Sequence, residues 1–385
     1  MLDPPLRSRS PHVLTCALAV LCLVAAACGG SSGGDGGAGS TSADDQLCAR
    51  QGLSETFTGG SRARSVVLTP KRTKLLGIGL GKGYLVWTQE SGSGTGLVCQ
   101  QRIANGQVTA LARGDLRQMG IVTTDEAVYF VADGDRGPSL FKVDHRGRRS
   151  REIATGITAN ISGSGRYVAY ADEPALDVER VTVLDSSRDD ATVDRYRFGA
   201  CDSQGENCAP VTSVSMVPNG LAWMRLQDDG SGAVLAVRPL NGVGITRPVS
   251  AVGAKLYPSD LFPVFDDVRQ DRHVYAAWLI SSGARQSLGT FGSDQLLAVA
   301  GGAALTLHAP GASPIVRAVS VPSARQVDMD DLGALGPSKG YPVLAGVAVN
   351  GRRFCELVNV FAGEQPSQSE MPLESFVRCG HLPAV

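Results

Sequence analysis

The chain has 385 residues, 43% of them hydrophobic and 19% charged, and its 36 basic side chains are balanced by 37 acidic ones, giving a formal net charge of −1. That balance excludes a global attraction to nucleic acid, so no nucleic-acid partner is expected and any partner has to be recognised locally. Only six of the basic residues are Lys, a bias that fits a GC-rich genome before it fits a binding site.

Arg7 and Arg9 form a short basic start, and the chain then runs apolar and uncharged from Val13 to Ala27. A membrane-crossing helix needs about 20 residues, so this run is too short to span and has the length of an export-signal core. Ala25, Ala26 and Ala27 stand directly before Cys28. The arrangement resembles the lipobox of bacterial lipoproteins. That resemblance implies cleavage after residue 27, which makes residues 1–27 the signal peptide, and lipid on the Cys28 thiol. Such families usually carry Leu where this chain has Ala25, and cleavage without lipidation is the alternative reading.

Residues 28–47 are almost all Gly, Ser, Ala, Thr and Asp after the cysteine. They have too little apolar surface to fold and read as a flexible tether that lets a folded body clear the lipid headgroups. Each acyl methylene entering the bilayer contributes about 0.8 kcal/mol, so two or three chains make the anchor durable.

From 48 to 385 there is no second linker and no long amphipathic helical period. Short apolar or aromatic runs recur between Gly, Asp, Asn and Pro turns: Gly83-Tyr-Leu-Val-Trp87, Ala127-Val-Tyr-Phe-Val131, Arg166-Tyr-Val-Ala-Tyr170, Gly220-Leu-Ala-Trp223, His273-Val-Tyr-Ala-Ala-Trp278, Ala303-Ala-Leu-Thr-Leu307 and Gly346-Val-Ala-Val349. They start between 30 and 54 residues apart, a blade-sized period. Several continue as hairpins, as in Val128–Asp133, a turn over Gly134–Gly137, then Ser139–Asp144. The runs are unbroken rather than alternating, which predicts strands buried on both faces, as in blades stacked around an axis. The repeat rhythm resembles β-propellers of the broad TolB-like and WD40-like type. The expected fold is therefore an all-β propeller over residues 48–385, with seven blades, or six if the weak repeat over 295–321 is not one. Tandem β-sandwiches are the alternative. The stretch Asp185 to Pro210 lengthens the third repeat and is expected to be an elaborated loop or a longer outer hairpin.

Cys16 and Cys22 leave with the signal and Cys28 is taken by lipid, so Cys48, Cys99, Cys201, Cys208, Cys355 and Cys379 remain. Six cysteines in an oxidising compartment predict three disulfides. Cys201 and Cys208 bracket a short polar loop and are the best single pair. The other four pair either as Cys48 with Cys99 and Cys355 with Cys379, or across the two ends of the chain. No close Cys-x-x-Cys pair or His cluster suggests zinc.

No Gly-x-Ser-x-Gly elbow, His-Glu-x-x-His or complete phosphate loop is present, and no catalytic residue, metal or cofactor is assigned. Gly77-Ile-Gly-Leu-Gly-Lys-Gly83 lacks the spacing of a phosphate loop and reads as the turn entering the strand at Tyr84. Asp133-Gly-Asp135-Arg-Gly137 has too few oxygens for a calcium loop and reads as a hairpin turn. His145 follows Asp144 at a turn and is expected in solvent, and His273 opens a strand at the rim; His308 and His381 lie in other repeats. Trp87, Trp223 and Trp278 are read as equivalent repeat positions that pack between blades. The expected function is a lipid-anchored, non-catalytic binding or scaffold module of the cell envelope with a protein or glycan partner. The alternative is a propeller hydrolase or lyase acting on an extracellular substrate.

Overall fold

Residues 127–144 show how the chain builds its unit. Ala127–Gly134 and Gly137–Asp144 pair in antiparallel register from Ala127 opposite Asp144 to Gly134 opposite Gly137, leaving Asp135 and Arg136 as a two-residue turn. Such a short connection suits the twist of paired strands. In the computed structural model this unit is extended on both sides and repeated around an axis. The residues described are 45–49, 54–57, 64–92, 94, 96–147, 149–175, 178–197, 210–218, 220–226, 232–240, 244–250, 255–269, 272–280, 284–309, 314–321, 326–331, 340–363, 366–367 and 369–382.

The result is a seven-bladed β-propeller. Six four-stranded antiparallel sheets follow one another as blade 1 (73–114), blade 2 (116–155), blade 3 (162–197), blade 4 (211–250), blade 5 (256–289) and blade 6 (295–331). Blade 7 is assembled from both ends of the folded chain. Tyr341–Asn350, Arg353–Phe361 and Glu374–His381 supply three strands, and Arg64–Leu68 and then Ser54–Phe57 add two outer ones. Val66 pairs with Arg378 and Leu68 with Phe376, which closes the ring.

Seven separate apolar clusters fill the seven interfaces between neighbouring blades. Alternation along each strand explains how one sheet serves two of them, because successive side chains point to opposite faces. In Arg353–Phe361, for example, Phe354 and Val358 pack toward blade 6 while Cys355 and Leu357 pack toward blade 1. This double burial is the origin of the unbroken apolar runs. Each fully buried Val, Leu or Phe contributes about 1.5–3 kcal/mol.

Side-chain amides stitch neighbouring blades together through the inner strands of blades 4 and 1. Asn160, just before the first strand of blade 3, accepts from Val214 N at 3.0 Å and donates to Val214 O at 2.9 Å in blade 4. Asn359 does the same to Leu75 across blades 7 and 1, at 3.0 and 3.1 Å.

Each of the seven runs found in the sequence belongs to a different blade, so the count of seven holds. Their positions within the blades differ. Five lie on second strands, whereas the run at 273–278 lies on the third strand of blade 5 and that at 346–349 on the first strand of blade 7. Trp87 and Trp223 are accordingly equivalent and Trp278 is not, although all three are buried between blades. The glycine-rich stretch at 77–83 is also more than a turn. It is the end of the innermost strand of blade 1, Thr73–Leu80, followed by the turn at 81–83. A Cβ on Gly79 would come within 2.7 Å of the Ile121 carbonyl oxygen of blade 2, so glycine is what lets the two strands approach.

Cys48 bonds to Cys99 and Cys355 to Cys379, which selects the local pairing of the two alternatives. Cys48 ends a helical turn, Asp45–Cys48, so the last residues of the segment read as tether are helical. Cys99 lies on the third strand of blade 1, and Cys355 and Cys379 are cross-strand neighbours in blade 7. Cys28, Cys201 and Cys208 lie outside the described residues. In the 185–210 stretch, Ser186–Arg188 is one 3₁₀ turn and Ala191–Arg197 the ordinary outer strand of blade 3; the extra length falls at 198–209, also outside them. Among the described residues no helix is long and apolar enough to cross a membrane.

Candidate functional site

Because successive strands run in opposite directions, the loops joining first to second and third to fourth strands emerge on one face of the ring, and the remaining loops on the other. The first face carries a groove of about 900 Å³ between blades 1 and 2, and His145 stands at its back.

The third strand of blade 2 ends at Asp144, and the chain turns through Gly147 at φ +70. Gly147 N donates to Asp144 O at 3.1 Å, and Arg146 N donates to Asp144 Oδ1 at 2.9 Å. An Asp that bonds the backbone two residues on is a turn-forming device. Here it swings His145 back over blade 1, where its ring stacks on Tyr84 with centroids 3.8 Å apart and planes 8° from parallel. Nδ1 lies 3.0 Å from Gln100 Oε1, and Nε2 lies 2.9 Å from the Thr124 carbonyl. Gln100 is 4% exposed, and its Nε2 donates to His145 O at 2.7 Å and to Thr109 Oγ1 at 3.0 Å. The His145 carbonyl accepts only, so it fixes which way the Gln100 amide faces.

His145 is therefore half-buried rather than solvated, which corrects the sequence-based expectation. Burial lowers its pKa, opposed by the Thr124 carbonyl and by the nearby Asp144, Asp125 and Glu126. The residue that matters most to its setting, Gln100, sits next to Cys99 but faces the other way. Cys99 points toward blade 7 and Gln100 toward blade 2.

Farther round the same face, blades 2 and 3 share an ionic knot. Asp189 and Asp190 both adopt left-handed backbone angles, φ 52 and 62, a conformation that Asp tolerates better than most residues. Asp190 accepts from the Tyr129 hydroxyl, from Lys142 Nζ at 2.9 Å and from Arg151 at 2.7 Å. Burial, reinforced by Asp190, pushes the Tyr129 hydroxyl pKa up. Ser186 Oγ donates to Glu126 at 2.8 Å, tying the two loops together.

The central channel holds about 330 Å³ and is lined chiefly by inner strands. Its mouth on this face opens into about 560 Å³, lined among others by Lys82, Asp125, Arg166 and Asp260. Burial raises the Asp260 pKa, and its Oδ1 has no hydrogen-bond partner among the described residues.

The opposite face carries a different arrangement in blade 6. Asp294 precedes the first strand and His308 ends the second, and His308 Nδ1 lies 2.6 Å from Asp294 Oδ1. Arg317 reaches the same carboxylate at 3.5 Å and Asp328 at 2.6 Å. A carboxylate at Nδ1 fixes the ring and leaves Nε2 to act. His273 is the second residue of the third strand of blade 5, and His381 ends the third strand of blade 7. The four histidines are thus spread over separate blades. Among the described residues no three His, Cys, Asp or Glu side chains converge as a metal site.

No protein-family model matches this chain, and no curated protein matches it. Solved structures resemble it in fold. The β-propeller domain of the Trilobed protease from Pyrococcus furiosus, described as having an open velcro topology, superposes with a TM-score of 0.51 and 8% identity, over 77% of this chain and 95% of that one. A prolyl endopeptidase gives 0.54 and 11%, over 75% of this chain and 45% of that one. This chain thus spans less than half the length of that peptidase. TolB from Acinetobacter baumannii gives 0.40 and 10%, over 77% and 79%. At these identities the likeness is one of fold.

Proposed function

We propose that this protein is an extracytoplasmic lipoprotein, anchored through Cys28, whose propeller serves as a non-catalytic binding or scaffold module of the cell envelope. The observation that carries the binding role is the loop face over blades 1 to 3. Its polar side chains are held in place by their own neighbours, around His145 and around Asp190, beside an open groove. Rigid loops on a stable ring are what a recognition surface needs. The two disulfides fit an oxidising, extracytoplasmic compartment, and the apolar run before Cys28 with the Gly/Ser segment after it supports the anchor.

Crosslinking in intact cells followed by capture of the full chain tests the binding role. Recovery of an envelope protein or glycan is expected, and recovery of neither overturns it. Labelling with a palmitate analogue tests the anchor, since label must vanish in Cys28→Ala.

A second reading, a hydrolase or lyase on an extracellular substrate, is favoured by the oriented Asp294–His308 pair. It predicts turnover of an envelope polymer that is lost in His308→Gln.

A further inference from the structure

We propose that the groove between blades 1 and 2 is a binding site for a neutral oligosaccharide. The inference rests on the binding role above and names its ligand class.

The groove has the size of a small-molecule site, but its walls are polar. Donors and acceptors are interspersed: the guanidinium groups of Arg102 and Arg146, the Gln107 amide and the Thr109 hydroxyl stand with the carboxylates of Asp125 and Asp144. A sugar hydroxyl donates and accepts at once, so a mixed set of this kind satisfies it. An anionic ligand would meet Asp125, Glu126 and Asp144, and a cationic one would meet Arg102 and Arg146; the near balance favours neither. An apolar partner would strip water from Arg102, Arg146 and Asp125 and offer them no hydrogen bond in return.

The two sides of the groove differ in a way that suits recognition. At the back, Gln100, His145, Thr124 and Tyr84 are interlocked and need no ordering when a ligand arrives. Tyr84 lines the groove with its ring already stacked on His145, so this side is fixed before a ligand arrives. At the front, the side chains of Arg102, Arg146 and Asp125 make no hydrogen bond or ion pair among the described residues, and all three are exposed. They are available to a ligand.

The test is calorimetric titration of the full chain in detergent with cellohexaose, chitohexaose and maltohexaose, with hexagalacturonate as the anionic control. At least one neutral hexasaccharide is expected to bind with a dissociation constant below about 1 mM. The double variant Arg102→Ala/Arg146→Ala should weaken it about tenfold or more with no change in unfolding midpoint, because both side chains are exposed. Failure of all three neutral sugars to bind, tighter binding of hexagalacturonate, or binding indifferent to the double variant would each overturn the proposal. If the sugars fail while crosslinking still captures an envelope partner, the binding role stands with another ligand. If a sugar binds but Cys28 takes no palmitate, the site stands and the anchor falls.

Discussion

The seam where the chain ends meet, in blades 7 and 1, and the loop face over blades 1 to 3 are both rich in polar side chains, but they are secured by different means. The seam holds two disulfides and an ion pair, Glu356 to Arg378 at 2.6 Å, whose side chains are 0% and 1% exposed. The buried Asn359 and Ser375 cross-link its strands as well, with Ser375 Oγ donating to Thr73 O at 2.6 Å. On the loop face, Asp190 is held by Lys142 and by Arg151, whose side chain is 56% exposed. Blades 1 to 3 follow one another along the chain, so covalent continuity keeps them adjacent, and exposed side chains such as Arg151 can take part in holding their loops. The three C-terminal strands of blade 7, Tyr341–Asn350, Arg353–Phe361 and Glu374–His381, have no such link to blade 1, which follows only Arg64–Leu68 along the chain. Their junction depends on contacts that water cannot compete for.

The largest effect expected from breaking this contrast is at the buried pair. Arg378→Leu leaves Glu356 without its countercharge and should cost about 3–5 kcal/mol in chemical denaturation, whereas Glu356→Leu together with Arg378→Met should recover most of it. A loss below about 1 kcal/mol for the single variant would show that the seam does not rest on buried charge. Next comes the covalent link. Cys48 and Cys99 are 51 residues apart, and replacing both by Ser should lower stability by about 2–4 kcal/mol. Reducing agent should cost the native chain at least as much, and should cost the variant only what its remaining disulfides contribute.

The smallest effect concerns the loop face. His145 has its pKa lowered by burial, so the fold favours the neutral ring and the unfolded chain takes up the proton first. Stability should be unaffected by His145 above about pH 7 and should fall as pH drops through about 6.5, the unfolded value. Comparing unfolding midpoints of the native chain and His145→Gln across that window isolates the contribution. If the variant keeps the whole of the acid-side slope, His145 is not its source.

The blade count was legible because every blade buries at least one strand on both faces, and such strands carry unbroken apolar runs. Which strand carried the run was not legible. In blade 5 it is the third strand, since the second, Val264–Arg269, is interrupted by Asp266 and Asp267, and burial on both faces looks the same in either position. The site at His145 could not be read locally either. Asp144-His145-Arg146-Gly147 is a turn by every local signal, and the groups that bury the ring are distant in sequence, Gln100 lying 45 residues away. The Asp135–Arg136 turn, by contrast, needed only its own neighbours and was read correctly.

The Cys48–Cys99 bridge has a mechanical consequence. Tension applied to the chain before residue 45 reaches Cys48 first and passes through sulfur into Gly96–Arg102, a strand paired on both sides within blade 1. The edge strand Ser54–Phe57 and its neighbour Arg64–Leu68 lie beyond that point and are bypassed. A pull that would otherwise unzip blade 7 from its rim, one hydrogen bond at a time, is instead borne in the interior of a neighbouring sheet.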